Sequence, residues 1–220
     1  MFTYFVSKFA NNKNKNSISH AQRAKRFSFF LAKIEKLPKP LTILDIGGTV
    51  DFWEAMNFNQ PGITITLLNL TKQEVNNPLF QSMEGNATHL TDIKDQQFDI
   101  VFSNSVIEHL FTWENQQKMA KEVRRVGKYH FIQTPNYWFP IEPHWVFPFF
   151  QFLPTSIRIT LTQRFSLGHI PRIPSYEKAK EQVNEIQLLS LSAFKTIFPH
   201  SSIYIEKFAG LSKSFTAYNW

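Results

Sequence analysis

The chain has no cysteine among its 220 residues, so neither a disulfide framework nor a thiolate nucleophile can be part of its design. No stretch approaches the roughly 18 uninterrupted apolar residues of a membrane-crossing helix. The opening residues, MFTYFVSKFANNKNKN, put apolar side chains before lysines, the reverse of a secretory signal, and a cytoplasmic location is expected. Nowhere near the first glycine turn is there the Gly-Lys-Ser/Thr of a Walker loop. A dinucleotide fingerprint is missing too, because its three glycine positions, counted from Gly47, hold Gly47, Thr49 and Phe52. Acidic residues are scarce at one end. Residues 1–40 carry nine Lys or Arg against one Glu, which leaves a net −1 for the rest of a chain whose total is +7. A basic surface organised over a folded body is therefore absent, and no nucleic-acid partner is expected. The basic stretch suits a solvated helix or peripheral contact with an anionic membrane surface equally well.

What is present is a long apolar inventory. The 23 Phe and an apolar content of 43% fit one domain with a thick core, an apolar pocket or an apolar patch. The organising stretch is LTILDIGGTVDFW, residues 41–53. Leu41, Ile43, Leu44 and Ile46 read as a buried parallel strand, Asp45 sits near its end, and Gly47 and Gly48 turn the chain toward a helix. Strand, glycine turn and helix are how α/β folds build a small-molecule site. A carboxylate there repels a pyrophosphate and attracts an ammonium, so Asp45 favours a cationic ligand.

In chain order, residues 1–18 read as an arm. Ser19 is placed to cap a helix of 20–36 whose apolar face is Ala21, Ala24, Phe27, Leu31 and Ile34, with Arg23, Lys25, Arg26 and Lys33 as solvated charge. This helix covers a sheet edge or acts as a lid. Pro38 and Pro40 end it. After the glycine turn come a helix of 50–58, a strand 63–69 ending at Asn69, and a short helix with a weak strand in 71–84. Next come a strand 98–103, a helix from Thr112 to Val126 stopped by Gly127, and a strand 128–134. Residues 135–176 are too long for a simple crossover and rich in Pro and aromatics, so they read as an insertion over the site. Helices from Ser175 and over 192–198, then strands 202–208 and 213–218 joined through Gly210, complete the chain. The domain plan is a basic N-terminal arm and helix, 1–39, before one domain, 40–220.

From residue 40 onward this order resembles the class I S-adenosylmethionine-dependent methyltransferases. The resemblance is carried by LTILDIGG, GNATHL, FDIVFSNSVIEHL, FIQTPN and the tail IYIEKFAGLSKSFTAYN. The piece ending Ile-Glu-His-Leu looks like the small-molecule methyltransferases of the ubiquinone-biosynthesis type. The implied fold is an α/β, Rossmann-like three-layer sandwich with a seven-stranded, mostly parallel sheet and an antiparallel last strand. The implied cofactor is S-adenosyl-L-methionine. By position, the resemblance places Asp45, Gly47 and Gly48 around the methionine part, Asn69 at the ribose and Asn86 beside the adenine amino group. Ala87 falls on the ring plane, and Ser103 and Asn104 on the methionine side. Three departures stand out: Thr49 and Asp51 occupy common glycine positions, Asn69 replaces a ribose acid, and Asn86 replaces an Asp. An amide still bonds hydroxyls or adenine but without charge assistance.

Methyl transfer from a sulfonium needs alignment, water exclusion and removal of one proton. His109, after the fourth strand, is the leading base because imidazole exchanges protons near neutrality, with Glu108 beside it. His144, two residues after Glu142 in the insertion, is the second candidate. No metal is expected: His109, Glu142 and His144 can be drawn as ligands, but neither their spacing nor the chemistry asks for one. Tyr137, Trp138, Phe139, Trp145, Phe147, Phe149, Phe150 and Phe152 point to an apolar acceptor pocket or to a small core within the insertion. Arg158, Arg164, His169 and Arg172 read as a solvated basic face. The expected activity is methylation of an oxygen or nitrogen on a small or lipid-like acceptor. The alternatives are a non-catalytic module that binds a partner and, disfavoured by Asp45, a nicotinamide oxidoreductase.

Overall fold

The computed structural model describes residues 18–220. Its first element is helix α1, Ile18–Ile34. Strand β1 (Leu41–Ile46) and helix α2 (Val50–Ala55) follow, then β2 (Ile63–Asn69), β3 (Phe80–Glu84) and β4 (Phe98–Asn104). A 3-10 turn, Ile107–His109, leads to α3 (Trp113–Val126), which passes directly into β5 (Gly127–Pro135). Beyond β5 lie a small hairpin of β6 (Ile141–Glu142) and β7 (Phe147–Pro148), then helices α4 (Thr155–Arg164), α5 (Tyr176–Glu185) and α6 (Leu191–Ile197). The hairpin β8 (Ser202–Phe208) and β9 (Leu211–Tyr218) ends the chain.

Seven strands form one sheet in the order β3-β2-β1-β4-β5-β9-β8. The first five run parallel and β9 runs antiparallel to β5 and β8. The order reverses at β1, so the next crossover leaves for the other side and opens a crevice beyond the strands' carboxyl ends. Gly47, Asn69, Asn104 and Asn136 all emerge at that edge.

Alternation along the strands feeds two cores. Leu44, Ile46, Val101 and Ile132 pack with Met119, Val123 and Val126 of α3 and with Phe194 of α6. Ile43, Ile65, Ile100, Phe102 and Phe131 pack with Phe27, Phe30 and Ile34 of α1 and with Trp53 of α2. Helix, sheet and helix give the expected sandwich. The phenylalanines concentrate in the second core, where the Phe30 ring lies 5.0 Å from Phe102 and 5.1 Å from Phe131.

Several expectations change. Helix α1 already includes Ile18, so Ser19 lies within it rather than capping it, and the remaining arm falls outside the described residues. Its buried face is Phe27, Phe30, Ile34 and Arg26, whereas Ala21 is exposed. Residues 71–79 form no helix. The segment after β5 contains an unforeseen helix, α4, and packs on itself: Trp145, Phe150, Ile159, Ala179 and Val183 make a third core. Caps fall where side-chain chemistry directs. Thr49, Thr112, Ser175 and Ser190 each accept a backbone N–H at the start of α2, α3, α5 and α6.

Candidate active site

The crevice begins at the turn after β1. Gly47 has φ +73°, a left-handed conformation that a side chain resists, and a Cβ there would come within 2.5 Å of Val106. Val106 therefore packs straight onto the turn. Thr49, at a position where the resembling family commonly has glycine, accepts from Phe52 N–H at 3.3 Å, and Asp51 lies in the first turn of α2. Both departures thus start a helix, and an acid near its N-terminus suits the helix dipole.

Asp45 does not face the crevice. It is 1% exposed and accepts a 2.7 Å hydrogen bond from Trp53 Nε1, and a Cβ on Gly48 would overlap its carboxylate. Burial pushes its pKa up to about 8, against the opposing pull of the Trp53 bond. The expectation of an exposed carboxylate attracting an ammonium is corrected: at neutral pH this group is largely protonated and anchors α2 beneath the turn. The pH consequence follows from proton counting. An unfolded Asp ionises near pH ~4, whereas the folded one keeps its proton to about 8. The folded state binds more protons across that window, so folding stability falls as pH rises through it. Asp45→Asn retains an acceptor for Trp53 and should remove this slope, read as urea midpoints between pH 5 and 8.

Asn69, at the end of β2, gives its Nδ2 to Gly48 O at 2.9 Å, so it braces the turn. Its Oδ1 has no partner among the described residues and is available to a hydroxyl. Gln73 reaches the same carbonyl at 3.4 Å. Asn86 turns its Oδ1 back onto Thr88 N and Oγ1, at 2.9 and 2.8 Å, which leaves its Nδ2 outward beside buried Ala87. Ser103 is fully buried and donates to Ile46 O at 3.1 Å, so it ties β4 to β1. Asn104 accepts from Arg26 at 2.8 Å.

Sequence reasoning took Arg26 for solvated charge. It is buried, and its other nitrogen meets Glu206 Oε2 at 2.8 Å. Arg26 lies four residues before Phe30 on the buried stripe, a signal that was there to read. Helix α1 therefore covers a sheet face with its phenylalanines and reaches the β4 end of the crevice with its arginine.

Past Val106 the chain closes into the 3-10 turn, and His109 N–H bonds Val106 O at 2.9 Å. His109 Nδ1 lies 2.9 Å from Glu185 Oε1, an acid of α5 that sequence reasoning missed. His109 Nε2 lies 3.1 Å from His144 Nε2, with the rings perpendicular. His144 Nδ1 is 2.7 Å from Glu142 Oε1. Glu142 Oε2 also takes the N–H groups of His144 and Trp145, each at 2.7 Å. Burial disfavours charge on His144, but Glu142, with Glu108 and Glu185, outweighs it and the net pKa is raised. Glu108 is fully buried. Its Oε2 accepts from Thr134 at 3.1 Å, Oε1 has no partner, and burial raises its pKa despite the two nearby histidines. The structure thus brings His109 and His144, predicted separately, into contact.

The insertion's aromatics divide. Trp145 and Phe150 stack at 4.4 Å inside the insertion core, and Phe139 is also buried. Trp138, Phe149 and Phe152 are exposed, and Tyr137 and Phe147 are half-buried. The basic set is mixed: Arg158 is partly buried, and Arg164, His169 and Arg172 are exposed. Among the described residues no helix is long and apolar enough to cross a membrane.

Strand order, the turn after β1 and the crevice it opens define a class I S-adenosylmethionine-dependent methyltransferase fold. Residues 44–130, from β1 to β5, match the family described as "Methyltransferase domain". Two uncharacterized proteins of Mycobacterium tuberculosis are 41% identical to it over 59 residues, which cover 26% of this chain and 20% of theirs. The chain thus matches about a fifth of the length of these curated relatives. The CurJ carbon methyltransferase overlays 99% of the chain and 57% of its own at TM-score 0.58 and 11% identity. A citrinin polyketide synthase CMeT domain overlays 89% and 52% at 0.53 and 12%. A structure from Rhodobacter sphaeroides described as putative Zn-dependent alcohol dehydrogenases overlays 90% and 97% at 0.55 and 10%. At these identities the overlays establish the shared fold.

The crevice fits the cofactor of this class in its donor set. Asn69 keeps a free acceptor for a ribose hydroxyl, Asn86 a free amide N–H for a base, and Ala87 a small apolar surface, while no ionised acid is spent on the turn.

Proposed function

We propose that the chain transfers a methyl group from S-adenosylmethionine to an oxygen or nitrogen of a small or lipid-like acceptor. The observation that carries this is the contact of His109 with His144 one 3-10 turn beyond Val106, the residue seated on the glycine turn. When bound, the cofactor supplies an electrophilic methyl on a sulfonium. Asn69 and Asn86 hold its nucleoside through the open amide atoms. Asp45, through Trp53, keeps the turn and α2 in register without touching the ligand. The histidine pair orients the acceptor and manages the proton it gives up, with Glu185 and Glu142 fixing the two rings. Exposed Trp138, Phe149 and Phe152, just past the end of β5, favour an apolar acceptor or contact with a lipid surface.

Titration calorimetry with S-adenosylmethionine tests the first half. Saturable binding supports the enzyme; no heat at millimolar cofactor rejects it and leaves a partner-binding module, the reading that Asn69 in place of an acid favours. His109→Ala should then cut turnover about 100-fold, within the range of a lost general base, with cofactor affinity nearly unchanged. Unaltered turnover would remove His109 from the chemistry.

A further inference from the structure

The histidine pair has a feature that proton management alone does not explain. Each imidazole turns Nδ1 onto a carboxylate, at 2.9 Å for Glu185 and 2.7 Å for Glu142. A carboxylate accepts, so each Nδ1 carries the hydrogen, and when both imidazoles are neutral each Nε2 is left with a lone pair. Those two lone pairs then face one another at 3.1 Å. Two acceptors this close repel unless something positive lies between them. A carboxylate oxygen of Glu108 comes within 4.8 Å of both ring nitrogens. That side chain is fully buried, and its Oε1 finds no donor among the described residues. Leaving a buried carboxylate oxygen unsatisfied costs free energy unless a cation answers it.

The geometry points to a divalent transition-metal ion of the zinc type, held by His109 Nε2, His144 Nε2 and Glu108. Two nitrogens each about 2.05 Å from one ion stand roughly 2.9 Å apart at a right angle and roughly 3.3 Å apart at the tetrahedral angle. The observed 3.1 Å falls between, so little movement is needed. A carboxylate on the far nitrogen of each ligating histidine is how protein metal sites fix the tautomer and raise ligand basicity, and here both have one. Two nitrogens and one carboxylate oxygen leave an open position, as metal sites that act on a bound molecule do. Glu108 and His109 come from the turn after β4 and His144 from the insertion, so the ion also pins the insertion to the sheet. The sequence reading drew the two histidines together with Glu142 and set a metal aside; the fold puts Glu108 in the cluster instead.

Metal binding does not depend on the methyltransferase reading; its consequence for the acceptor does. With an ion in place, the acceptor atom is an oxygen, since a coordinated hydroxyl loses its proton far more easily than a free one. The histidines would then serve as ligands, and the proton of the coordinated hydroxyl would pass to solvent water.

The test uses the full chain, stripped with a chelator and titrated with Zn2+ by calorimetry and with Co2+ by visible absorption. The expected result is one equivalent bound, with cobalt bands of a low-coordinate nitrogen–oxygen site. Affinity should fall by at least about 100-fold in His109→Gln and in His144→Gln, and about 10- to 100-fold in Glu185→Gln. His169→Gln should bind as the parent does, since His169 meets the cluster only through its backbone N–H to His144 O. Thermal unfolding of each variant without metal separates a lost ligand from a lost fold. Failure to bind Zn2+ and Co2+ at millimolar concentration overturns the proposal, as does binding that both ligand variants leave intact. A parallel S-adenosylmethionine titration distinguishes this failure from failure of the methyltransferase reading, because the two ligands are scored separately.

Discussion

Replacing Arg26 with alanine is expected to cost roughly 3–5 kcal/mol of folding stability, the scale of breaking a buried ion pair from one side. Glu206 is almost wholly inaccessible, and among the described residues Arg26 is its only salt-bridge partner below 3 Å. Ser214 donates to its other oxygen at 3.2 Å, and Lys213 stands off at 3.6 Å. Without the guanidinium, the carboxylate stays buried with Lys213 and Arg23 as more distant cations, and Asn104 loses its donor. Lys213 cushions the loss, which places the expectation toward the lower end. The cost belongs to the orphaned charge rather than to the pair. Arg26→Met combined with Glu206→Leu should therefore recover most of it, since replacing both members by apolar groups is often neutral. Urea unfolding of the single and double variants checks both statements. A single variant within 1 kcal/mol of the parent would show that Glu206 has another route to compensation.

Trp53→Ala should cost about as much, roughly 3–5 kcal/mol, by a different physics. The indole is fully buried and meets Phe27, Phe58 and Phe102 at ring distances of 5.6, 4.9 and 5.2 Å. Truncation leaves a cavity in the aromatic core and takes from Asp45 its only side-chain donor among the described residues. Trp53→Phe keeps most of the ring and removes only the N–H. Its expected cost is about 1–3 kcal/mol, the penalty of an unsatisfied buried polar group. The difference between the two variants apportions packing against hydrogen bonding, and cofactor titrations on the phenylalanine variant report whether the turn above has moved. Equal costs would mean that the packing of the ring contributes nothing, and a phenylalanine variant as stable as the parent would mean the same of the bond to Asp45.

The sheet was legible because buried parallel strands write continuous apolar runs. Ile43–Ile46, Ile63–Leu68 and Phe98–Ser103 each read as strands and pair as β1, β2 and β4. Caps were legible for an equally local reason: Thr112 and Ser175 sit one residue before the helices they start. What failed was whatever depends on contacts between distant segments. Arg26 pairs with a residue 180 positions away, and no local pattern marks a charge as buried. Asp45 was read as facing a ligand because its strand position is right. Only the fold reveals that Trp53, eight residues on, claims it first. Helix α4, TSIRITLTQR, carries β-branched residues and little amphipathic contrast, so it did not announce itself beside the Pro-rich run before it. The site divided in the same way. His109 and His144 were each singled out, but their meeting, and the part played by Glu185, belong to tertiary structure.

The separate interior of the stretch between β5 and α6 divides the labour of inheritance. Trp145, Phe150, Ile159 and Val183 shield one another rather than leaning on the strands. Lineages can therefore rewrite that subassembly, residue by residue, while the nucleoside-facing edge of the scaffold stays as it was.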